Sequence, residues 1–189
     1  RYDLWDVFDA YMRLGGMPGI ADIGLDQEKA LAFLDGIYST VVVRDILERE
    51  KRRGQRQITD AMLLRTIVLF LADNIGNSVS VSSIGNTLMN EGLLEDGKRK
   101  GTPSTHTVQA YSGALLESYF FYESKRFDIK GKEYLRTLGK YYIVDIGMRN
   151  YLLGFRNRDS GHIIENMVYF ELLRRGYDVY VGKIDSFEV

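Results

Sequence analysis

The chain has 189 residues, a formal net charge of −1 and a hydrophobic content of 45%. That length buries a substantial core and that composition excludes a disordered chain. The absence of cysteine excludes disulfides and thiolate metal sites, and it agrees with a cytoplasmic location. The two histidines, His106 and His162, lie too far apart in sequence for a histidine-rich zinc site.

No run of about 18 consecutive apolar residues is present, so neither a membrane span nor a membrane partner is predicted. No signal peptide precedes the first predicted helix, and Arg1 falls at its edge. We therefore expect the chain to be a piece of a longer protein.

The sequence of the N-terminal third predicts two helices. The first is predicted over residues 2–14, ends at Gly15 and Gly16, and is followed by a turn over 17–20. The second runs from Gln27 to about Arg53 behind an N-cap at Asp26, and its β-branched middle is compatible with a buried helix. The apolar face of the first helix would consist of Leu4, Phe8, Tyr11 and Met12.

The middle of the chain opens with a strongly apolar helix. Thr59 or Asp60 caps it, and it extends to Asn74 before Gly76 and Asn77. Its apolar residues occupy nearly every face, which predicts a central position in the core. Two short helical patterns follow, and two strand-like runs then flank Gly131. This order is typical of a winged helix-turn-helix.

The second of these short helices is the candidate recognition helix. Val108, Tyr111 and Leu115 recur at helical spacing and predict its packed face. His106, Gln109, Ala110 and Gly113 lie on the opposite side, where the missing side chain of Gly113 permits close approach by another surface.

The last part of the chain predicts a helix over 145–153, a longer one over 161–175 that Gly176 ends, and then strand, turn and strand. The predicted class is therefore mainly α with a small amount of β (α+β). We predict three parts: a helical segment over 1–57, a winged-helix domain over 58–154 and a truncated α/β segment over 155–189.

Positive charge is concentrated in the middle of the chain. Residues 98–158 contain 12 Lys and Arg against 5 Asp and Glu. The excess indicates either a surface for an anionic partner such as DNA or a solvated, exposed loop. The candidate nucleic-acid contacts are Thr105, His106 and Gln109 on the recognition helix, with Lys98, Lys100, Lys125, Arg126, Lys130 and Lys132 for phosphates.

Several stretches resemble one large prokaryotic family. They include RLGGMPGI, DGIYSTVVVRDI, KYYIVDIGMRNYLLG and GHIIENMVYFELLRRGYDVYVGK. In this resemblance the chain is similar to the C-terminal region of AAA+ ATPases whose ATP-binding domain precedes a region of unknown function. The family's C-terminal region is understood as a winged helix followed by a domain of the restriction-endonuclease type.

The resemblance implies that residues 1–20 form the tail of the ATPase lid and that the parent protein uses ATP and Mg²⁺. It also implies two partners, DNA and the protein's own N-terminal ATPase domain, and a homo-oligomer is compatible with it. This chain has no G-x-x-x-x-G-K-[ST] loop, so we expect it to need no cofactor and to have no ATPase activity.

The resemblance also raises the question of a nuclease site. Gly161 and Glu165 resemble a first-helix glutamate motif of the resolvase-like branch of such nucleases, in which carboxylates bind Mg²⁺. The other carboxylates are missing, so we predict no catalytic or metal-binding residue in this chain, with Glu165 a metal ligand only in a complete domain. The alternative for Glu165 is a structural glutamate that complements the helix dipole.

Two functions remain open from the sequence. In the first, the chain is a nucleic-acid-binding module that delivers DNA to an ATPase or to a nuclease-like domain. In the second, the winged helix is a protein-docking or oligomerisation scaffold for the ATPase, without nucleic acid. A basic groove beside the recognition helix would favour the first, and a large apolar patch there would favour the second.

Overall fold

Helices dominate the computed structural model, which describes residues 3–52, 58–90, 103–128, 133–156, 159–184 and 187–188. Its α-helices are α1 Leu4–Leu14, α2 Pro18–Asp22, α3 Gln27–Ile37, α4 Asp45–Arg52, α5 Ala61–Asp73, α6 Val81–Asn90, α7 Thr105–Glu117, α8 Ile146–Leu153 and α9 Ser160–Arg174. Its strands are β1 Ser78–Val79, β2 Phe121–Asp128, β3 Glu133–Ile143, β4 Val181–Ile184 and β5 Phe187–Glu188. The predicted α+β class is confirmed.

The N-terminal helices begin at short polar caps. The Asp26 carboxylate accepts a hydrogen bond from the backbone amide of Lys29 at 2.9 Å, which confirms the predicted start of α3. The β-branched stretch between α3 and α4 continues as a π-helix over Tyr38–Arg44. The predicted turn over 17–20 is present, closed by a hydrogen bond of 2.9 Å from the amide of Ile20 to the carbonyl of Met17, and it continues as the short helix α2, which Pro18 begins.

Helix α5 lies at the centre of the core. The Asp60 carboxylate accepts from the amides of Met62 at 2.8 Å and Leu63 at 3.1 Å, which fixes its first turn. Most of its side chains are buried, as the apolar sequence predicts: Leu63, Leu64, Thr66, Ile67, Val68, Leu71 and Ala72. The helix ends at Asp73 with Asn74 as its C-cap, and Gly76 turns the chain with a φ of +72°.

The strands form one sheet in the order β1-β3-β2-β4-β5. β2 and β3 pair antiparallel, with a register shift between Lys125 and Arg126. The two-residue strand β1 pairs antiparallel with β3, and β4 pairs parallel with β2, placing Val181 opposite Arg126. The sheet thus contains strands on both sides of residue 155, the predicted start of the third part. The division of the chain into three parts stays a prediction.

The corner after α1 packs against the first turn of α8. The buried Asp145 carboxylate accepts from the amide of Gly16 at 2.8 Å and from the amide of Met148 at 3.2 Å. A Cβ on Gly15, where φ is +81°, would lie 2.0 Å from Asp145 Oδ1, so only glycine fits there. Burial raises the pKa of Asp145, and the hydrogen bonds from backbone amides oppose that rise.

Two more polar residues of α8 bind the ends of other helices. Arg149 is 1% exposed. Its Nε donates to the carbonyl of Ala72 at 3.2 Å, and its Nη2 donates to Asp159 Oδ2 at 2.7 Å. Asn150 Nδ2 donates to the carbonyl of Met12 at 2.9 Å. Side chains of α8 therefore connect it to α1 and to the end of α5 by hydrogen bonds to backbone carbonyls, and to the start of α9 by one ion pair.

The predicted apolar face of α1 is only partly correct. Met12 is buried, but Leu4, Phe8 and Tyr11 are exposed. The helix packs on α8 through Met12 and through Leu14, which the predicted face did not include. Phe8 and Tyr11 are 39% and 38% exposed, so this side of α1 is only partly covered.

Candidate nucleic-acid interface

Helix α7 presents a polar face to solvent. Ser104 caps its first turn, since its Oγ accepts from the amide of Thr107 at 3.1 Å. Thr105, His106 and Gln109 are all exposed and share the outer side of the helix. Three of the nine predicted nucleic-acid contacts are therefore brought together on one face.

The opposite face of α7 is packed as predicted: Val108, Tyr111 and Leu115 are buried in the core. The helix phase inferred from the sequence is thereby confirmed. Among the residues that the structure describes, a Cβ on Gly113 would meet nothing within 4 Å. The outer side of α7 thus has room for another surface to approach.

Polar contacts hold α7 in position from its inner side. The Tyr111 hydroxyl accepts from the amides of Asp60 at 3.0 Å and Thr59 at 3.3 Å, so it binds the start of α5. Arg49 on α4 donates to the carbonyl of Ala114 at 3.3 Å. The sequence analysis missed both contacts. A tyrosine in an apolar stripe was the available signal, since a buried hydroxyl needs a partner.

The strand that follows α7 contributes two more of the predicted residues. Lys125 is exposed on β2, and Arg126 is partly buried beside β4, at the register shift of the hairpin. The other four predicted phosphate contacts, Lys98, Lys100, Lys130 and Lys132, lie outside the described residues. Five of the nine predicted residues can therefore be placed.

Part of the basic excess in the middle of the chain is used inside the molecule. Lys140 pairs with Glu165 at 3.1 Å, Arg149 with Asp159 at 2.7 Å, and Arg156 with Asp73 at 3.1 Å. These cations already have carboxylate partners. The charge available to an anionic ligand is therefore smaller than the residue count suggests.

Glu165 occupies a structural position between α9 and the sheet. Its Oε1 accepts from Tyr142 Oη at 2.8 Å and from Lys140 Nζ at 3.1 Å, and its carboxylate lies over Gly76, where a Cβ would come within 3.1 Å. The neighbouring Asn166 exchanges two hydrogen bonds of 2.9 Å with the backbone of Ile143. Glu165 thus helps to dock α9 on β3.

A lysine ammonium and a phenol bind one oxygen of the Glu165 carboxylate, and Mg²⁺ is usually held by several oxygen ligands. Glu165 as a metal ligand in a complete domain stays a prediction. Across the described ranges, no group of three or more His, Asp or Glu side chains could hold a metal ion. The same ranges contain no helix long and apolar enough to cross a membrane.

Comparison with known proteins identifies relatives without a described activity. Residues 6–159 match the model of a family described as Domain of unknown function (DUF8612). An uncharacterised protein of Haemophilus influenzae is 37% identical over 183 residues, which cover 97% of this chain and 42% of that protein. An uncharacterised protein of Methanocaldococcus jannaschii is 29% identical over 196 aligned positions, covering 100% of this chain and 40% of its own length. No solved structure matches the chain.

Proposed function

The chain belongs to the DUF8612 family, and from that premise we propose that its middle part is a winged helix-turn-helix that binds duplex DNA within a longer protein. A longer protein agrees with the two relatives, since the chain spans only 42% and 40% of their lengths. ATP and Mg²⁺ would be used by a separate AAA+ ATPase domain of the same polypeptide. This chain would supply the DNA-binding surface and no catalytic residue.

The order and pairing of elements support the winged-helix part of this proposal. α5, β1, α6 and α7 precede the β2–β3 hairpin, and β1 pairs with β3. In a helix-turn-helix the second of two adjacent helices enters the major groove, and in the winged form a β-hairpin follows that helix. In this chain α7 would be the reading helix and β2–β3 the wing.

One observation carries the DNA-binding part, namely the exposed polar face of α7. Thr105, His106 and Gln109 share it, and no described residue would contact a Cβ on Gly113 further along. Glutamine can bond to base edges, and threonine and histidine can bond to phosphates. The exposed Lys125 on the following strand adds a cation for the backbone.

The protein-docking scaffold is the second candidate function. The ion pairs that occupy Lys140, Arg149 and Arg156 favour it, because they leave fewer cations for DNA. A neutral polar helix face can also bind a protein surface. A negative charge on the outer face of α7 distinguishes the two functions, because such a charge weakens DNA binding.

The substitution Gln109→Glu tests the proposal. We expect the chain to bind a labelled duplex with a Kd of about 10⁻⁴–10⁻⁶ M at physiological salt, as non-specific DNA binding does. The new carboxylate would face the phosphates and weaken binding about tenfold. Fluorescence anisotropy measures both values.

The matched control is Gln27→Glu, the same chemical change at an exposed position in the first turn of α3. It should leave the affinity unchanged. Equal effects of the two substitutions, or no binding at low salt, would contradict a DNA-reading role for α7 and favour the docking scaffold.

A further inference from the structure

An apolar groove of about 700 Å³ lies between α1 and α9. Phe8 and Tyr11 form one wall, and Ile164, Val168 and Leu172 line the other. Ile164 and Val168 are 46% and 51% exposed although they follow one another at helical spacing. A surface helix normally places polar residues on such a stripe, so this side of α9 has the composition of a contact surface.

The helix beside the groove also carries exposed protruding side chains. Leu4 and Trp5 are 80% and 77% exposed on α1. Trp5 lies edge-on to Phe8 with ring centroids 6.4 Å apart, and Phe8 lines the groove itself. The exposed apolar side chains of Leu4 and Trp5 therefore lie next to the apolar groove on one face. A self-complementary interface needs this arrangement.

The exposed aromatic area of this face is about half of what one partner of a standard interface buries. The fractional exposures of Trp5, Phe8, Tyr11 and Tyr177 correspond to roughly 400 Å² of aromatic surface. Leu4, Ile164 and Val168 add to it. A standard interface buries about 800 Å² per partner, whereas the largest patch on a typical monomer is about 300–600 Å².

Charges at the two ends of this face are complementary. Asp3 and Asp6 are exposed at the start of α1. At the end of α9, Arg174 and Arg175 both donate to Glu171 at 2.7 Å, which lowers the pKa of Glu171 to about 2. That cluster keeps a net positive charge of one. A twofold rotation that inserts α1 into the partner's groove allows the acidic helix start to meet this basic helix end.

We propose that a second copy of this chain covers the groove, with Leu4 and Trp5 of each copy inserted between α1 and α9 of the other. The interface is isologous, so each copy supplies both the protrusion and the groove. This dimer does not use the outer face of α7. DNA binding and dimerisation can therefore fail separately.

The chain contains one tryptophan, which makes the test direct. Trp5 is solvent-exposed in the monomer, so its emission should shift to shorter wavelength as protein concentration rises from low to high micromolar and the dimer forms. Sedimentation equilibrium on the same samples should report the dimer mass. Val168→Glu keeps the tryptophan but places a charge in the groove, and should weaken the dimer about 30-fold or more, as loss of a hot spot does.

Met62→Glu is the matched control, because Met62 is 63% exposed at the start of α5, outside the proposed interface. It should keep the concentration-dependent shift, and circular dichroism should show that both variants are folded. A monomer at every concentration overturns the proposal, as does a dimer that Val168→Glu and Met62→Glu leave equally intact. Replacing Asp3 and Asp6 by Lys should also weaken the dimer, and unchanged association would contradict the proposed orientation.

Discussion

Replacing Arg149 by methionine is expected to lower the free energy of unfolding by about 3–5 kcal/mol, the usual cost of removing one partner of a buried ion pair. Arg149 is 1% exposed, and it bonds both the carbonyl of Ala72 and the carboxylate of Asp159. Its loss leaves both acceptors without that guanidinium in a poorly solvated place. Urea unfolding followed by circular dichroism measures the change.

Arg156→Met is the matched control, because Arg156 makes an ion pair of 3.1 Å with Asp73 at the surface. Exposed pairs contribute about 0–1 kcal/mol, so this variant should unfold close to the unchanged chain. Equal destabilisation by the two substitutions would show that α8 does not join the surrounding helices as described.

Leu115→Ala is expected to destabilise the chain by about 2–5 kcal/mol, as truncation of a buried leucine does. Leu115 is fully buried on the inner face of α7. The substitution removes its apolar contacts and leaves a cavity against the core. The same urea titration gives the magnitude.

Gln109→Ala, on the exposed face of the same helix, should change stability by less than about 0.5 kcal/mol. The pair of substitutions measures the phase of α7 in solution. If Gln109→Ala were the costly change and Leu115→Ala the neutral one, the proposed DNA face would point into the core.

Local signals account for the parts of the fold that the sequence predicted well. Asp26 was predicted as a cap, and Asp60 was one of two candidates beside Thr59, because a short acceptor before an apolar helix satisfies amides within its own first turn. The face of α7 followed from the spacing of Val108, Tyr111 and Leu115 alone. Such signals lie within one helix and need no knowledge of the neighbours.

The sequence analysis missed features that depend on distant partners. β1 is a two-residue strand that exists through its pairing with β3. Asp145, Arg149 and Asn150 bind groups 129, 77 and 138 residues away, so no local pattern marks them as structural. Their buried polar character is visible only after the helices are assembled.

Glu165 shows the same limit at the candidate site. The sequence left a choice between a metal ligand and a glutamate that complements the helix dipole. Its contacts are with Tyr142 and Lys140 on β3, which neither alternative included, and both alternatives stay predictions. Spacing within α9 could not have indicated a lysine that lies 25 residues earlier.

The salt dependence of DNA binding tests the central claim most directly. Each phosphate that the chain neutralises contributes about −0.9 to the slope of log K against log salt concentration, so four contacts give a slope near −4. Lys130 and Lys132 belong to the predicted contacts, and replacing both by alanine should reduce the magnitude of the slope by roughly 2 on any duplex sequence. Replacing the exposed Lys29 and Lys51, which are not among those contacts, should leave it unchanged. A slope near zero, or one that the Lys130 and Lys132 substitutions do not alter, would contradict a winged helix that binds DNA.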